Sequence, residues 1–298
     1  MSNVPFSVVV GTTQPWPELR ECLESFYSEA VEAGGEVIVL DCNGRGLPAD
    51  AAVRYPGVHH VSEDGASIYR LRSLGLASAR GDVVLITEDH CRPRPGWCAG
   101  HLRAHARDPA VAVVGGAVDN GARGRLVDWA SFLLGHARFV PPIESGEAKA
   151  VDRSNESYKR RVLPRAPSPE GMDEPPTDQR LAASAERMTI DADLVVDHVQ
   201  SLGLPSMLTI HFHNGRAIGG LRLRRGMGWF ERLWRVLATA AVPPVFFLRT
   251  VQAIVAGGRL PARAYASLPL IAVMTTLIAA GLLAGLLAGP GRSAHQLR

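Results

Sequence analysis

Apolar residues in the first third of the chain fall into two kinds of segment. Phe6 to Val10, Glu36 to Leu40 and Val83 to Thr87 are short, β-branched and almost continuously apolar, the pattern of strands buried on both faces. A weaker strand is expected near Val58 to Val61. Between them the spacing turns helical. From Pro17 to Val31, Leu19, Cys22, Leu23 and Phe26 recur on one face, and a second helix is expected from Ala66 to Ala79. Gly34-Gly35 and Arg80-Gly81-Asp82 supply the turns. This β-α-β-α-β alternation predicts an α/β fold with a mostly parallel sheet and helices on both faces.

Farther along, the pattern predicts a helix over Cys98 to Arg107, a strand over Val111 to Val114 and a helix over Asp128 to Phe139. Arg165 to Pro176, rich in proline and charge, reads as a loop. A helix is expected from Thr177 to Arg187, then a short strand, Leu194 to Val196, before His198. His211 and His213 alternate as strand residues do.

Near its end the chain changes character. Leu268 to Ala288 is 21 residues without a charge, enough to cross a bilayer core of about 30 Å. Val236 to Leu248 is apolar but interrupted by Pro243-Pro244, so an interfacial or re-entrant segment is expected, with a hairpin of two spans as the alternative. Arg222, Arg224, Arg225, Arg232 and Arg235 precede it and predict a cytoplasmic face near anionic lipid. The division expected is a catalytic domain over residues 1–228, cytoplasmic and held at the cell membrane, and a membrane-associated region over 229–298 with its span at 268–288.

Composition adds limits. Of 298 residues, 46% are hydrophobic and 20% charged, and the net charge of +3 is too small to argue for nucleic acid. Cys22, Cys42, Cys91 and Cys98 form no CxxC pair, as in a reduced protein. The opening MSNVPFSVVVG lacks the basic start and cleavage site of a signal peptide.

Parallel sheets bind ligands at the carboxyl ends of their strands. Here those ends are Thr12, Asp41 and the Glu88-Asp89-His90 cluster. On residue identity alone, LITEDHCRP reads more readily as a polar, proline-rich turn than as a cation site.

The surroundings change that balance. ARGDVVLITEDHCRPRPGW resembles the Ala-x-Gly-Asp/Glu, apolar strand, acidic motif, x-Pro, Gly-Trp passage of family 2 glycosyltransferases. FSVVVGTTQPWPELRECLESF is similar to their opening strand and helix, EVIVLDCNGRG to their second strand, and SNESYKRRVL to their Asn-x-x-Tyr-Arg-Arg block. HFHNGRAIGGLRLRR is similar to an arginine-bearing segment ahead of the membrane part in some members. The likeness runs from about Phe6 to Arg225, in order.

The resemblance implies a GT-A fold and an inverting, membrane-associated glycosyltransferase. Its donor would be a nucleoside-diphosphate sugar, its acceptor a membrane-proximal, lipid-linked or other molecule, and its cofactor Mg²⁺ or Mn²⁺. Thr12 and Asp41 would contact the nucleoside, Arg72 the ribose or phosphates, and Asp82 and Asp89 would belong to the donor site. Glu88 and His90 occupy the two acidic positions of an Asp-x-Asp metal motif, and His198 matches a histidine near the donor phosphates. Glu174, seven residues before Leu181, matches the general base, with Asp173 second and Asp178 also in reach. Arg216 and Arg222 are candidates for diphosphate, lipid phosphate or a membrane-facing stripe. The chain departs from the family pattern at Ser73, Arg153 and Ser154. Two other readings compete: a nucleotidyltransferase, against which the first strand's loop lacks a glycine-rich basic turn, and a catalytically weak nucleotide-sugar-binding membrane protein.

Overall fold

The computed structural model describes residues 4–13, 16–42, 46–167, 186–224, 226–258 and 260–297. The chain forms two compact units, residues 1–119 with 139–199, and residues 120–138 with 200–298. The second unit thus begins its longer segment at Gln200, ahead of the boundary expected at residue 228.

The first unit is built on a sheet of β1 (Phe6–Thr12), β2 (Glu36–Asp41), β3 (Val58–Ser62), β4 (Val83–Glu88), β5 (Cys91–Pro93), β6 (Val111–Asn120), β7 (Gly146–Ala148), β8 (Glu156–Lys159) and β9 (Arg187–His198). Its order is β3-β2-β1-β4-β8-β6-β9-β5, with β7 beside β9. The half read from the apolar runs, β3-β2-β1-β4, is parallel. Beyond β4 the sheet is mixed, with β8 antiparallel to β4 and β6, and β5 and β7 antiparallel to β9.

Side chains of successive strand residues point to opposite faces, so one apolar run feeds two cores. Val8, Val10, Val37, Val39 and Leu85 pack with Leu19, Cys22, Leu23 and Phe26 of α1 (Trp16–Glu32) on one face. Val9, Ile38, Leu40, Val84 and Ile86 meet Leu71 and Leu76 of α3 (Ile68–Ser78) on the other. The short α2 (Ala49–Arg54) precedes β3, and α4 (Trp97–Arg107) adds Trp97 and Cys98 to the first core.

At the amino edge of this sheet lies a polar clamp. The buried Glu36 carboxylate accepts from Ser7 Oγ at 2.6 Å and from the Arg80 N–H and Nε at 2.7 Å each, while the Gly81 N–H donates to Ser7 Oγ at 2.9 Å. A Cβ on Gly81 would overlap the Phe6 backbone. The Arg80-Gly81 turn is therefore a device for starting β4.

The expected strand at Leu194 to Val196 is the end of the twelve-residue β9. Its first half alternates apolar and polar residues (Met188, Thr189, Ile190, Asp191), which dilutes the apolar signal. Of the helix expected at Thr177 to Arg187, residues 177–185 lie outside the described residues, and Arg187 opens β9.

The second unit is helical: α5 (Leu126–His136), α6 (Leu204–Arg224), α7 (Trp229–Ala238), α8 (Val242–Ala256), α9 (Ala262–Ala266) and α10 (Leu268–Ala288). His211 and His213 lie on α6, not on a strand; one turn of helix, rather than pleat alternation, separates the buried His211 from Gly215. Gly215 and Gly219 of α6 face Gly281 and Gly285 of α10 across backbone contact. A Cβ on any of the four would strike a carbonyl of the opposite helix. Such small-residue spacing lets two helices approach closely along one seam.

Among the described residues, two helical segments are long and apolar enough to cross a membrane, Trp229–Ala256 and Leu268–Ala288. The run expected to stay interfacial, Val236 to Leu248, lies inside the first. α7 exposes Trp229, Phe230, Leu233, Trp234 and Leu237, while Arg232 on its other side donates to the carbonyls of Leu286 and Leu287 at 2.9 and 2.7 Å. That contact satisfies carbonyls left open at a helix carboxyl end.

Candidate active site

Because β1, β2 and β4 are parallel, their carboxyl ends share one edge. The register sets Thr12 beside Asp41 and Gly11 beside Glu88. The chain then does not leave in a proline-rich turn, as its sequence suggests. Cys91–Pro93 pairs with β9, aligning Cys91 with His198, and the Val199 N–H donates to the His90 carbonyl at 2.8 Å. At this end position in the sheet a proline without an N–H is tolerated. The pairing delivers His198 to the strand ends.

The result is a compact group. Glu88 Oε2 lies 3.1 Å from His90 Nε2 and 3.9 Å from His198 Nε2, and the two imidazole nitrogens are 3.0 Å apart. Their rings meet edge to face, with centroids 4.5 Å apart. Cys91 Sγ joins these donors in a cluster within 4.8 Å. The other Glu88 oxygen, Oε1, is ion-paired with the buried Arg72 of α3. Ser154 Oγ reaches Glu88 Oε2 at 3.4 Å, and the Ser154 carbonyl accepts from Thr87 Oγ1 at 3.0 Å.

Asp89 faces the opposite way and organises the neighbourhood. Its Oδ2 accepts from Thr12 Oγ1 at 2.9 Å and the Thr13 N–H at 2.8 Å, and Oδ1 lies 2.8 Å from His90 Nδ1. A carboxylate there holds a proton on Nδ1 and turns Nε2 toward Glu88 and His198; Nε2 would give up its own proton to take a cation.

The electrostatics follow from this packing. Burial alone would raise the Glu88 carboxyl, but Arg72, His90 and His198 outweigh it and hold it well below the usual carboxylate range. Burial favours neutral His90, yet its bonds to Asp89 and Glu88 win and its pKa is pushed up to about 10. Burial and the nearby carboxylates push the Cys22 and Cys91 thiols up, keeping them protonated. A carboxylate oxygen and two imidazole nitrogens converging on one point suit a divalent cation.

The sequence-derived candidates fall into three groups. Glu88, His90 and His198 come together, with Asp89 holding His90. Thr12 and Asp41 stand at the same edge, but Thr12 is turned to Asp89, and Asp41 Oδ2 lies 3.8 Å from His60 Nε2. Arg72 is engaged with Glu88 instead of reaching outward. Asp82 is not brought to the group. It is exposed at the start of β4, and the strand that separates it from Glu88 is roughly 20 Å long. Glu174 and Asp173 lie outside the described residues. Ser154, a departure from the family pattern, and Cys91, next to His90 in the chain, also stand at the site; the β5–β9 pairing, which no local pattern announces, sets Cys91 beside His198.

Residues 7–162 match the family model of glycosyl transferase family 2. The chain belongs to that family. Its enzyme class is thus glycosyltransferase rather than nucleotidyltransferase. No curated protein matches the chain. Among solved structures, it is similar to mannosyltransferase PcManGT from Pyrobaculum calidifontis in complex with GDP-Man and Mn²⁺, with a TM-score of 0.56, 18% identity, and coverage of 95% of this chain and 87% of that one. It is also similar to a mycobacterial protein, with a TM-score of 0.50, 18% identity and 76% coverage of each chain. At such identities the likeness speaks for the fold, and that fold is GT-A.

Proposed function

We propose that the chain moves a sugar, with inversion, from a nucleoside-diphosphate donor to an acceptor at a membrane surface. The observation that carries this reading is the convergence of Glu88, His90 and His198 at the strand ends beside Thr12 and Asp41, in a family 2 chain. Those three residues would hold a divalent ion, which supplies positive charge to offset that of the leaving diphosphate. Arg72 keeps Glu88 ionised and fixes which oxygen is presented. Asp89 fixes the tautomer and direction of His90. Thr12 and Asp41 line the edge where the nucleoside would lie.

Glu174 is the proposed general base, with Asp173 as substitute. It would take the proton of the acceptor hydroxyl as that oxygen attacks the anomeric carbon, on the face opposite the departing diphosphate. The bond from the anomeric carbon to the diphosphate oxygen breaks as the new glycosidic bond forms.

The membrane part of the proposal is supported by the apolar face of α7, the uncharged α10 and the charge balance. From Gln200 to Arg298 there are eleven arginines and one acidic residue, Glu231, a charge that favours anionic lipid. The chain is expected to stay with membranes during alkaline carbonate extraction; recovery in the soluble fraction would remove the anchor from the account.

A thermal-shift screen of nucleotide sugars with Mn²⁺ tests the donor reading, since a ligand that binds only the folded state raises the melting temperature. GDP-mannose, the sugar nucleotide bound by PcManGT, is the first to try. Stabilisation by one or a few donors is expected, and none across a broad panel would contradict the proposal.

A further inference from the structure

Beside the protonated Cys91 thiol, the strand-end corner offers one carboxylate oxygen and two imidazole nitrogens, and this bears on which ion the corner accepts. We infer that Glu88, His90 and His198 form a two-histidine, one-carboxylate site that takes a first-row transition ion (Mn²⁺, Fe²⁺, Co²⁺ or Zn²⁺) and rejects Mg²⁺. The inference rests on the reading of this cluster as the metal corner of the transferase.

Geometry supports it first. Atoms separated by 3.0, 3.1 and 3.9 Å lie on a circle of about 2.0 Å radius, close to the roughly 2.0–2.2 Å that imidazole and carboxylate ligands keep from such ions. An ion at or just above the centre of that triangle would lie within bonding distance of all three atoms.

The surrounding residues support it second. Arg72 occupies Glu88 Oε1, so the carboxylate offers one oxygen, Oε2, to the two histidines. Asp89 takes the Nδ1 side of His90 and turns its Nε2 inward, the arrangement that raises the basicity of a metal-bound imidazole. Among the described residues no second carboxylate joins the triangle, and Asp89 is committed to Thr12, Thr13 and His90.

Chemistry decides the outcome. Mg²⁺ is small, dehydrates reluctantly and is held through oxygens, whereas imidazole ligands favour transition ions in the Irving–Williams order. An aspartate at position 90 would have restored an oxygen-rich corner. The histidine there, together with His198, shifts the site to a softer class of ion.

Mn²⁺ electron paramagnetic resonance on the full-length protein in detergent tests this without any turnover. Bound Mn²⁺ is expected to show ¹⁴N modulation from two imidazoles. Roughly a hundredfold excess of Mg²⁺ should fail to displace it, and Zn²⁺ should succeed. In His90→Asp one imidazole coupling should disappear and Mg²⁺ should begin to compete. Displacement of Mn²⁺ from the unaltered protein by comparable Mg²⁺, or bound Mn²⁺ without nitrogen coupling, overturns the inference. So does a protein that binds none of these ions. If nucleotide sugars still bind in those cases, the transferase reading stands and only the ion preference falls; if no donor binds with any ion, the reading itself falls.

Discussion

The carboxylate of Asp89 and the Nδ1 of His90 lie 2.8 Å apart, so the acidic residue in the middle of Glu88-Asp89-His90 serves as the support of its neighbour. Asp89→Asn keeps an acceptor but removes the charge. Binding of Mn²⁺, measured by calorimetry, is expected to weaken about ten- to a hundredfold, as for other outer-shell partners of metal-bound histidines. Unchanged affinity would mean that Asp89 does not tune His90.

Glu174→Gln tests the proposed base. Transfer should fall by about 10²–10⁴-fold, while the thermal shift given by the donor stays as in the unaltered protein. Retained turnover would pass the role to Asp173 or Asp178, and lost donor binding would show that the residue holds substrate.

The two ends of β4 predict opposite behaviour. Gly81→Ala forces a methyl group into the Phe6 backbone and is expected to cost about 1–3 kcal/mol, read as a lower urea midpoint. Asp82→Ala, exposed at the far end of the strand, should leave donor affinity untouched. A donor-binding defect in Asp82→Ala would place that carboxylate in the site after all.

Two histidines buried between α4 and the sheet should make stability depend on pH. His101 Nε2 meets Asn155 Oδ1 at 3.2 Å, and Ser157 Oγ bridges His101 and His105 at 2.8 and 2.9 Å. Burial, the largest influence on each, brings His101 down to about 3 and His105 down to about 4 from 6.5. Folded pKa values below the unfolded one mean that the unfolded chain takes up protons first. Their contribution is complete above pH 6.5 and is lost as pH falls toward 4 and then 3, on the order of several kcal/mol at the acid end. Urea unfolding from pH 7 to 5, above the range of ordinary carboxylates, should show falling stability in the unaltered protein and a shallower slope in His101→Gln. Identical slopes would contradict this.

How much of this was legible beforehand depended on the range of the interactions. The strands β1, β2 and β4 are dense apolar runs, and their parallel order followed from the helices between them. With that order, Thr12, Asp41 and Glu88 had to share an edge. The meeting of His90 with His198 depended on a three-residue strand whose only signature is its register with β9, 108 positions away. Arg72 and Asp82 matched family positions by their neighbours in sequence, yet a strand separates its two ends in space. Arg72 arrives at the site from α3, and Asp82 stays at the opposite edge. On α6, His211 and His213 alternate as pleated residues do, but the glycines at 215 and 219 that seat the helix on α10 carry the true period.

The central claim, that the Glu88 corner serves sugar transfer, is tested most directly by one measurement. Purified protein is given Mn²⁺ and the nucleotide sugar that stabilises it best, and release of nucleoside diphosphate is followed beside that of Glu88→Ala. The account predicts steady release by the unaltered protein and loss of about two orders of magnitude or more in the variant, as when charge stabilisation of a leaving group is removed. Equal rates in the two proteins, or no release from any donor that binds, would contradict it.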